Sequence, residues 1–300
     1  MRSWFHGKTK RHSYFEGWYF RQHTGGQALA FIPALHIDGE GKRSASIQVI
    51  TNALSERALY PIESFQTGGS GLCVTVGGSR FSEEGVIVNI KTDSVEIRGE
   101  LAYGAFLKPR YDIMGPFRYV PNMQCRHSVI SMAHTVWGEL SINGETLLFE
   151  NALGYLEGDR GHSFPKRYFW TQSMLPDGTS IMLSIADIPF MGFTFTGIIG
   201  FVYKNGSEYR IATYLGAKLY RMGDGFVSVR QGEYLLQAEL IAGTPKPLYA
   251  ANSGRMERVI HESASARVRY RLFLNGRAIL DTVGDCAGYE NEYCHPPSNA

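Results

Sequence analysis

The chain has 300 residues, the length of one large domain or of two ordinary ones. Hydrophobic residues make up 44% of it and charged residues 19%, so it can bury a sizeable core and wholesale disorder is excluded. The 30 basic and 28 acidic residues leave a net charge of +2, which argues against a dedicated nucleic-acid-binding protein. The N-terminus is polar and basic, and no run of about 18 apolar residues follows it. We expect a cytoplasmic protein.

Alternating apolar and polar residues predict strands along most of the chain. The aromatic stretch Tyr14–Phe20 fits a strand, as do Val86–Ile90 and Val95–Arg98. Asn52–Tyr60 predicts one short helix that stops before Pro61. Helical periodicity is otherwise scarce, so the chain is expected to contain little helix.

Turn signals recur at hairpin spacing through the second half of the chain. Asparagine and aspartate before glycine accept the positive φ that two-residue hairpin turns require. From Arg267 to Leu274, apolar and arginine residues alternate, which is typical of an antiparallel strand with one solvated face. The five dipeptides are Asn143-Gly144, Asp177-Gly178, Asn205-Gly206, Asp224-Gly225 and Asn275-Gly276.

These patterns predict an all-β protein of antiparallel barrels or sandwiches. The segment His12–Phe20 is echoed by His162–Gln172, about 150 residues later. The echo predicts two tandem β domains, residues 1–153 and 154–300, that meet near 150–156.

Neither the spacing of the cysteines nor any nucleophile or nucleotide-binding motif indicates a function. No C-x-x-C pair, G-x-S-x-G elbow or G-x-G-x-x-G loop is present. We expect four buried, reduced thiols, with a bridge between Cys286 and Cys294 as the alternative in an oxidising compartment.

The segment from Gly154 to Gln172 combines ionisable and aromatic residues. Glu157, Asp159 and His162 lie within six residues and are followed by an aromatic strand. A carboxyl group against aromatic rings has a raised pKa and can act as an acid near neutrality. The structural alternative pairs these carboxylates with Arg160 and Lys166.

Two other stretches supply candidates. On a strand, Glu16 shares a face with Tyr14 and Trp18, either as an acid lining a cavity or as an arginine-paired carboxylate. Residues 110–132 predict a long loop that leads into a strand, with Asp112 and His127 at a pocket mouth or, alternatively, in structural hydrogen bonds.

The segments Tyr14–Phe20 (YFEGWYF) and Glu157–Gln172 (EGDRGHSFPKRYFWTQ) are both long and aromatic. In order and separation they resemble the opening and second motifs of the tocopherol cyclase family, the second of form E-K-x-W-G-x-x-F-P-x-x-W/Y-x-W-x-Q. The chain departs from this pattern at Arg160, where tryptophan is usual, and at Met174, where asparagine is frequent.

The resemblance implies a tandem lipocalin-like fold and an acid-catalysed cyclisation. In that reaction a carboxylic acid protonates the alkene of a prenylated hydroquinone, and the phenol oxygen captures the cation to close a chromanol ring. The resemblance implies an intramolecular lyase or isomerase with no cofactor and no metal. Its partner would be a hydrophobic small molecule and not a nucleic acid, and peripheral contact with a membrane is left open.

For this chemistry we expect Glu16 or Glu157 as the acid and Asp159 or His162 as the base. Aromatic faces beside the developing cation would stabilise it. The predicted substrate-binding residues are Tyr14, Trp18, Tyr19, Asp112, His127, Trp170 and Gln172.

Two alternatives to a cyclase stay open at this point. A hydratase or pericyclase could use the same fold, or a binding module could carry a hydrophobic ligand without transforming it. A binding module would lock Glu16 and Glu157 in ion pairs with Arg11, Arg160 or Arg167, whereas an enzyme would turn them towards a common cavity.

Overall fold

The computed structural model describes residues 4–68, 71–190 and 192–293. Within these ranges the regular structure consists of antiparallel strands and four single 3-10 turns, so the all-β prediction is confirmed. No helix among the described residues is long and apolar enough to cross a membrane. The 3-10 turns are Gly7–Thr9, Ile62–Ser64, Gly115–Tyr119 and Thr213–Leu215.

The first sheet has eleven strands in the order β4-β3-β2-β1-β11-β10-β9-β8-β7-β6-β5. The first strand therefore pairs with the last, and the chain extends outwards from that pair in both directions. The strands are β1 Tyr14–Thr24, β2 Gln27–Ile37, β3 Arg43–Thr51, β4 Ser55–Pro61, β5 Gln66–Thr67, β6 Cys73–Val76, β7 Ser79–Ser82, β8 Gly85–Lys91, β9 Glu96–Tyr103, β10 Cys125–Ile142 and β11 Glu145–Gly161.

The first sheet is curled around its own core. Laid flat, eleven strands would span about 50 Å. Yet Ala58 from β4 and Val74 from β6, near the two edges, belong to the same buried cluster as Trp18 and Phe20 from the middle. One face of the sheet therefore encloses the core, and alternate residues point to the opposite, outer face.

The second sheet repeats this topology with ten strands in the order β15-β14-β13-β12-β21-β20-β18-β17-β16, with β19 paired to β20. Again the first strand pairs with the last. The strands are β12 Tyr168–Met174, β13 Ser180–Phe190, β14 Phe193–Lys204, β15 Ser207–Ala212, β16 Lys218–Gly223, β17 Phe226–Gln231, β18 Tyr234–Ala242, β19 Lys246–Asn252, β20 Arg255–Leu274 and β21 Arg277–Asn291.

Strands β1 and β12, which contain the two echoing segments, occupy equivalent places in the two sheets. The tryptophans of these two strands, Trp18 and Trp170, do not occupy equivalent places. Trp18 lies in the core enclosed by the first sheet, whereas in β12 it is Phe169 that enters the core of the second. Because side chains alternate along a strand, Trp170 points to the outer face.

The predicted turns are confirmed and the predicted helix is wrong. All five dipeptides connect antiparallel strands, and glycine has a positive φ in each. Asn52–Tyr60 contains no helix, because Ser55–Pro61 pairs with β3 as an edge strand. Pro61 is tolerated as the last residue of such an edge.

Tertiary contacts divide the described residues into two units that each include a segment from the other half of the sequence. Unit 1 comprises residues 4–108, 125–164 and 248–259, and unit 2 comprises 109–124, 165–247 and 260–293. The division differs from a single boundary near 150–156, because β11 continues without a break to Gly161.

The hairpin of residues 248–259 is fixed to unit 1 by backbone and side-chain contacts. The Gln48 side-chain amide donates to the carbonyl oxygen of Tyr249 at 2.9 Å and accepts from its backbone N–H at 2.7 Å. The Arg57 guanidinium stacks on the Tyr249 ring, 3.5 Å from its centroid. At the tip, the Gly254 N–H donates to the carbonyl oxygen of His162 at 2.7 Å. Gly254 has φ +81, and a Cβ there would overlap the carbonyl oxygen of Ile37.

We predict that Gly254→Ala will destabilise the protein more than a matched glycine substitution. Gly144→Ala is the control, because Gly144 has φ +87 but nothing within 4 Å of its Cβ position. The positive φ alone costs about 1–2 kcal/mol, and the steric overlap at Gly254 adds at least about 1–3 kcal/mol. Chemical denaturation measures both variants, and equal losses would contradict the close approach.

Two histidines in unit 1 are buried in their neutral form. Burial, with a smaller contribution from the charge of Arg57, lowers the pKa of His36 to about 3. Burial likewise lowers the pKa of His134 to about 3. Their ring nitrogens bond the hydroxyls of Ser46 and Ser131 at 2.8 and 2.9 Å.

We predict that stability falls as the pH drops below about 6.5, the unfolded pKa of histidine. Below that pH, His36 and His134 bind protons in the unfolded chain but stay neutral in the folded protein. Each histidine can therefore lower the free energy of unfolding by up to about 1.4 kcal/mol per pH unit until the pH nears 3. Denaturation of wild type and His134→Gln between pH 7 and 5 measures this effect. A variant with the wild-type pH slope would contradict it.

Candidate functional site

The candidate site lies on the outer face of the first sheet, where β10, β11 and β1 run side by side. His127 is opposite Asp159 across β10 and β11, and Glu157 is opposite Tyr19 across β11 and β1. Residues directly opposite in antiparallel strands share a face, and so do residues two apart. The pairing therefore gathers these four side chains into one cluster.

The imidazole of His127 lies between two carboxylates. Its Nδ1 is 3.1 Å from Oδ1 of Asp159, and its Nε2 is 3.2 Å from Oε2 of Glu157. The contact at Nδ1 is a hydrogen bond, whereas that at Nε2 is an ion-pair contact without hydrogen-bond alignment. All three side chains are largely withdrawn from solvent, with Asp159 the most accessible of them.

The carboxylates determine the protonation state of His127. Burial by itself lowers the pKa of the imidazole, but the charges of Glu157 and Asp159 and the hydrogen bond to Asp159 overcome burial and hold the pKa well above its ordinary value. His127 is therefore an imidazolium at neutral pH.

Tyrosines and an arginine surround this cluster. The Tyr155 hydroxyl donates to Oε2 of Glu157 at 2.7 Å, and burial together with the charge of Glu157 raises the pKa of Tyr155 well above its usual range. The wholly buried Arg21 donates to the Tyr19 hydroxyl at 3.4 Å. The Cys125 thiol contacts Oδ1 of Asp159 at 3.4 Å, and burial raises its pKa.

The same three residues could each offer a ligand atom to a metal ion, with these atoms within 4.8 Å of one another. The donor set of one imidazole and two carboxylates is chemically suitable for a divalent ion. However, the carboxylates face different nitrogens of the ring, at Nδ1 and at Nε2. This arrangement holds a proton between the carboxylates, and the ring would have to turn before one nitrogen could share an ion with both of them.

Glu16, the other predicted acid, has a different environment. Its Oε2 accepts hydrogen bonds from the backbone N–H groups of His6 and Gly7 and from the Tyr14 hydroxyl, at 2.8, 3.0 and 2.9 Å. Its Oε1 is 2.8 Å from Nδ1 of His6. The buried carboxylate thus anchors the N-terminal 3-10 turn to β1, and the Tyr14–Glu16–Trp18 face predicted from alternation is the core-enclosing one.

The remaining unit 1 and loop candidates lie outside the cluster. His162 is exposed just beyond the end of β11, where its Nδ1 is 3.2 Å from the Ser163 hydroxyl, and partial burial lowers its pKa. Trp18 is buried in the core. Asp112 belongs to unit 2, where its carboxylate accepts the backbone N–H of Met114 at 2.9 Å.

Trp170 and Gln172 also belong to unit 2, on the outer face of β12. Both are buried, and Trp170 is opposite Glu290 on β21. The Tyr168 hydroxyl donates a hydrogen bond to Glu290. Neither amide atom of Gln172 has a hydrogen-bond partner among the described residues.

Sequence reasoning missed Tyr155 and Arg21. A signal for the first was present, because Tyr155, Glu157 and Asp159 alternate along one strand and must share a face. Cys73 and Cys125 are half-buried rather than buried. Cys294 lies outside the described residues, so a reduced thiol stays the prediction there and a bridge to Cys286 stays the alternative.

Two curled antiparallel sheets with this strand order define a lipocalin-like fold in tandem. The structure is similar to a protein from Nitrosomonas europaea provisionally named AttH, with a TM-score of 0.56, 12% identity, and coverage of 93% of this chain and 92% of the other. It is also similar to kievitone hydratase from Nectria haematococca, with a TM-score of 0.55, 9% identity, and coverage of 93% and 88%. At these identities the likeness shows the fold alone.

No family model matches the sequence. No curated protein matches it either.

We predict that His127 stays protonated at pH 7.5 and that Glu157→Gln or Asp159→Asn lowers its pKa. Each substitution removes one of the two charges that stabilise the imidazolium. Nuclear magnetic resonance of ring ¹⁵N shifts during a pH titration measures the change. A control titration of His162, which is exposed and outside the cluster, should be unaltered. A wild-type His127 that is neutral at pH 7.5 would refute the charge assignment.

Proposed function

We propose that the protein is an acid–base enzyme of the hydratase or cyclase type that protonates a carbon–carbon double bond of a hydrophobic substrate. The observation that carries this proposal is the His127 ring held between Glu157 and Asp159, at 3.2 and 3.1 Å. Such a cluster stores a proton out of bulk water. A small tilt of the ring that aligns Nε2–H with Glu157 would let it pass the proton between the two carboxylates, as general acid–base catalysis requires.

The two carboxylates differ in access, which suggests separate roles. The Glu157 side chain is 7% exposed and that of Asp159 is 20% exposed. Asp159 would exchange protons with solvent, His127 would relay them, and Glu157 in its protonated form would donate to the substrate. Tyr155 hydrogen-bonds Glu157 and orients its carboxyl group.

The proposed reaction balances without an oxidant or reductant. Protonated Glu157 gives its proton to one alkene carbon, and the other carbon becomes a tertiary cation. The oxygen of a hydroxyl group forms a bond to the cation and releases its own proton to the cluster, which restores the acid. The Tyr19 ring, opposite Glu157, supplies an aromatic face near the developing charge.

The source of that hydroxyl group separates the two candidate activities. With a phenol on the same molecule, the product is a chromanol-type ring, which the sequence resemblance favours. With water, the product is a tertiary alcohol, and one structural neighbour is named a hydratase. We propose a prenylated hydroquinone as the substrate class, with cyclisation as the reaction.

Glu157→Gln is expected to lower turnover about 10²–10⁴-fold while the fold is kept, since the amide is nearly isosteric but cannot donate the catalytic proton. Purified protein would be incubated with prenylated quinols in D₂O and extracted, and the products analysed by mass spectrometry. A cyclised product with one deuterium on carbon, or a product heavier by one water, separates cyclisation from hydration.

Glu16→Gln is the matched control, because Glu16 is also a buried carboxylate but is bonded to the N-terminal turn. It should lower the melting temperature and leave turnover within a few-fold. The proposal fails if Glu157→Gln keeps full activity, or if the wild type binds prenylquinols tightly without transforming them, which would assign a carrier.

A further inference from the structure

One hairpin of unit 2 has an unusual tip. The predicted hairpins turn on Asn-Gly or Asp-Gly, which suits exposure to water. Between β13 and β14, by contrast, the sequence from Ile188 to Phe195 contains no charged residue. Phe193 at the start of β14 is 56% exposed.

Further apolar groups of unit 2 gather beside this tip. The Phe117 ring lies 6.0 Å from that of Phe195 and 6.1 Å from that of Tyr214. Tyr119 is 73% exposed, and Leu215 and Tyr220 are exposed as well. We define the apolar patch as residues 115–119, 193–196 and 214–221. The ring contacts of Phe117 join the three segments, and a cluster of exposed apolar side chains points to an interaction site.

The charges within the patch all have one sign. Its three segments contain Arg118, Lys218 and Arg221 and no aspartate or glutamate. Arg118 stacks 4.6 Å from the centroid of the exposed Tyr119 ring, so a cation and an amphipathic aromatic group are presented together. Lys218 and Arg221 are exposed on β16, an edge strand of the second sheet.

We propose that the apolar patch docks unit 2 on the surface of a bilayer that contains anionic lipids. Phe193 and Leu215 would enter the boundary between headgroups and acyl chains, where aromatic and aliphatic side chains are favoured. Tyr119 and Tyr220 would lie at headgroup level. The three cations would face the anionic headgroups.

Charge complementarity favours a bilayer over a second copy of the chain. Two apposed patches would bring three positive charges against three others and no negative ones from these segments. An anionic membrane instead supplies an acyl-chain region for the apolar side chains of the patch and negative headgroups for its three cations. This inference is independent of the proposed reaction, because none of its residues belongs to the site around His127.

The experiment is cosedimentation of the full chain with vesicles of phosphatidylcholine alone or with 30% phosphatidylglycerol, roughly the anionic content that gives a strong surface potential. Wild type should partition onto the anionic vesicles and lose much of that binding in 0.5 M salt, about the concentration that screens charges beyond ~4 Å. Phe193→Ser with Leu215→Ser should lower the partition coefficient about 10–100-fold. Lys218→Gln with Arg221→Gln should remove most of the preference for anionic lipid.

Leu148→Ser is the control, because Leu148 is 50% exposed but lies on β11 in unit 1. It should bind vesicles as the wild type does, and circular dichroism should show all variants folded. Equal binding by the Phe193/Leu215 variant overturns the proposal, as does a wild type that stays in the supernatant. Dimers in sedimentation analysis that dissociate in the Phe193/Leu215 variant would also overturn it, by assigning the patch to self-association.

Discussion

The register of three neighbouring strands determines the chemistry available to this protein. If the pairing that begins with Ile142 and Glu145 at the turn continued without any register shift, His127 would lie opposite Arg160. The register shifts along β10 and β11 instead place His127 opposite Asp159. Because side chains alternate, that single-residue difference brings the imidazole to the face of Glu157 and away from that of Glu16.

The two buried glutamates show how the environment divides the roles of identical side chains. Glu16 receives backbone and hydroxyl donors at Oε2 and a histidine at Oε1, so its lone pairs are engaged in holding the N-terminal turn. Glu157 contacts a tyrosine hydroxyl and a charged imidazole that can itself move a proton. The first arrangement anchors a segment of the chain, whereas the second sets a carboxyl group beside a charged imidazole, the contact on which the proposed reaction depends.

Much of the fold could be predicted from the sequence because its strongest signals are local. A positive φ is a property of the turn residues themselves, so Asn-Gly and Asp-Gly located the hairpins. The failed helix at Asn52–Tyr60 shows the limit of this reasoning. That segment has few turn residues, and its state is decided by pairing with β3, a contact that no local pattern contains.

The site was predictable only in part for the same reason. Glu157 and Asp159 stand out by their aromatic surroundings in the sequence, but the partner His127 reaches them across a bulged strand pair. Local composition cannot reveal a bulge-dependent register. The sequence motif likewise matched Trp18 with Trp170, although alternation places their side chains on opposite faces of equivalent strands.

The interleaving of segments has a consequence for how the chain is made. Unit 1 needs the hairpin at 248–259, and unit 2 needs the segment at 109–124. On the ribosome, the first sheet is therefore synthesised long before the last piece of its own unit emerges. After β11 has been synthesised, unit 1 lacks the hairpin at 248–259 until about 100 further residues have been added, which takes roughly 5–20 s at ordinary elongation rates. Exposed β surface during that interval favours chaperone binding, and it makes the chain a poor candidate for division into two separately expressed halves.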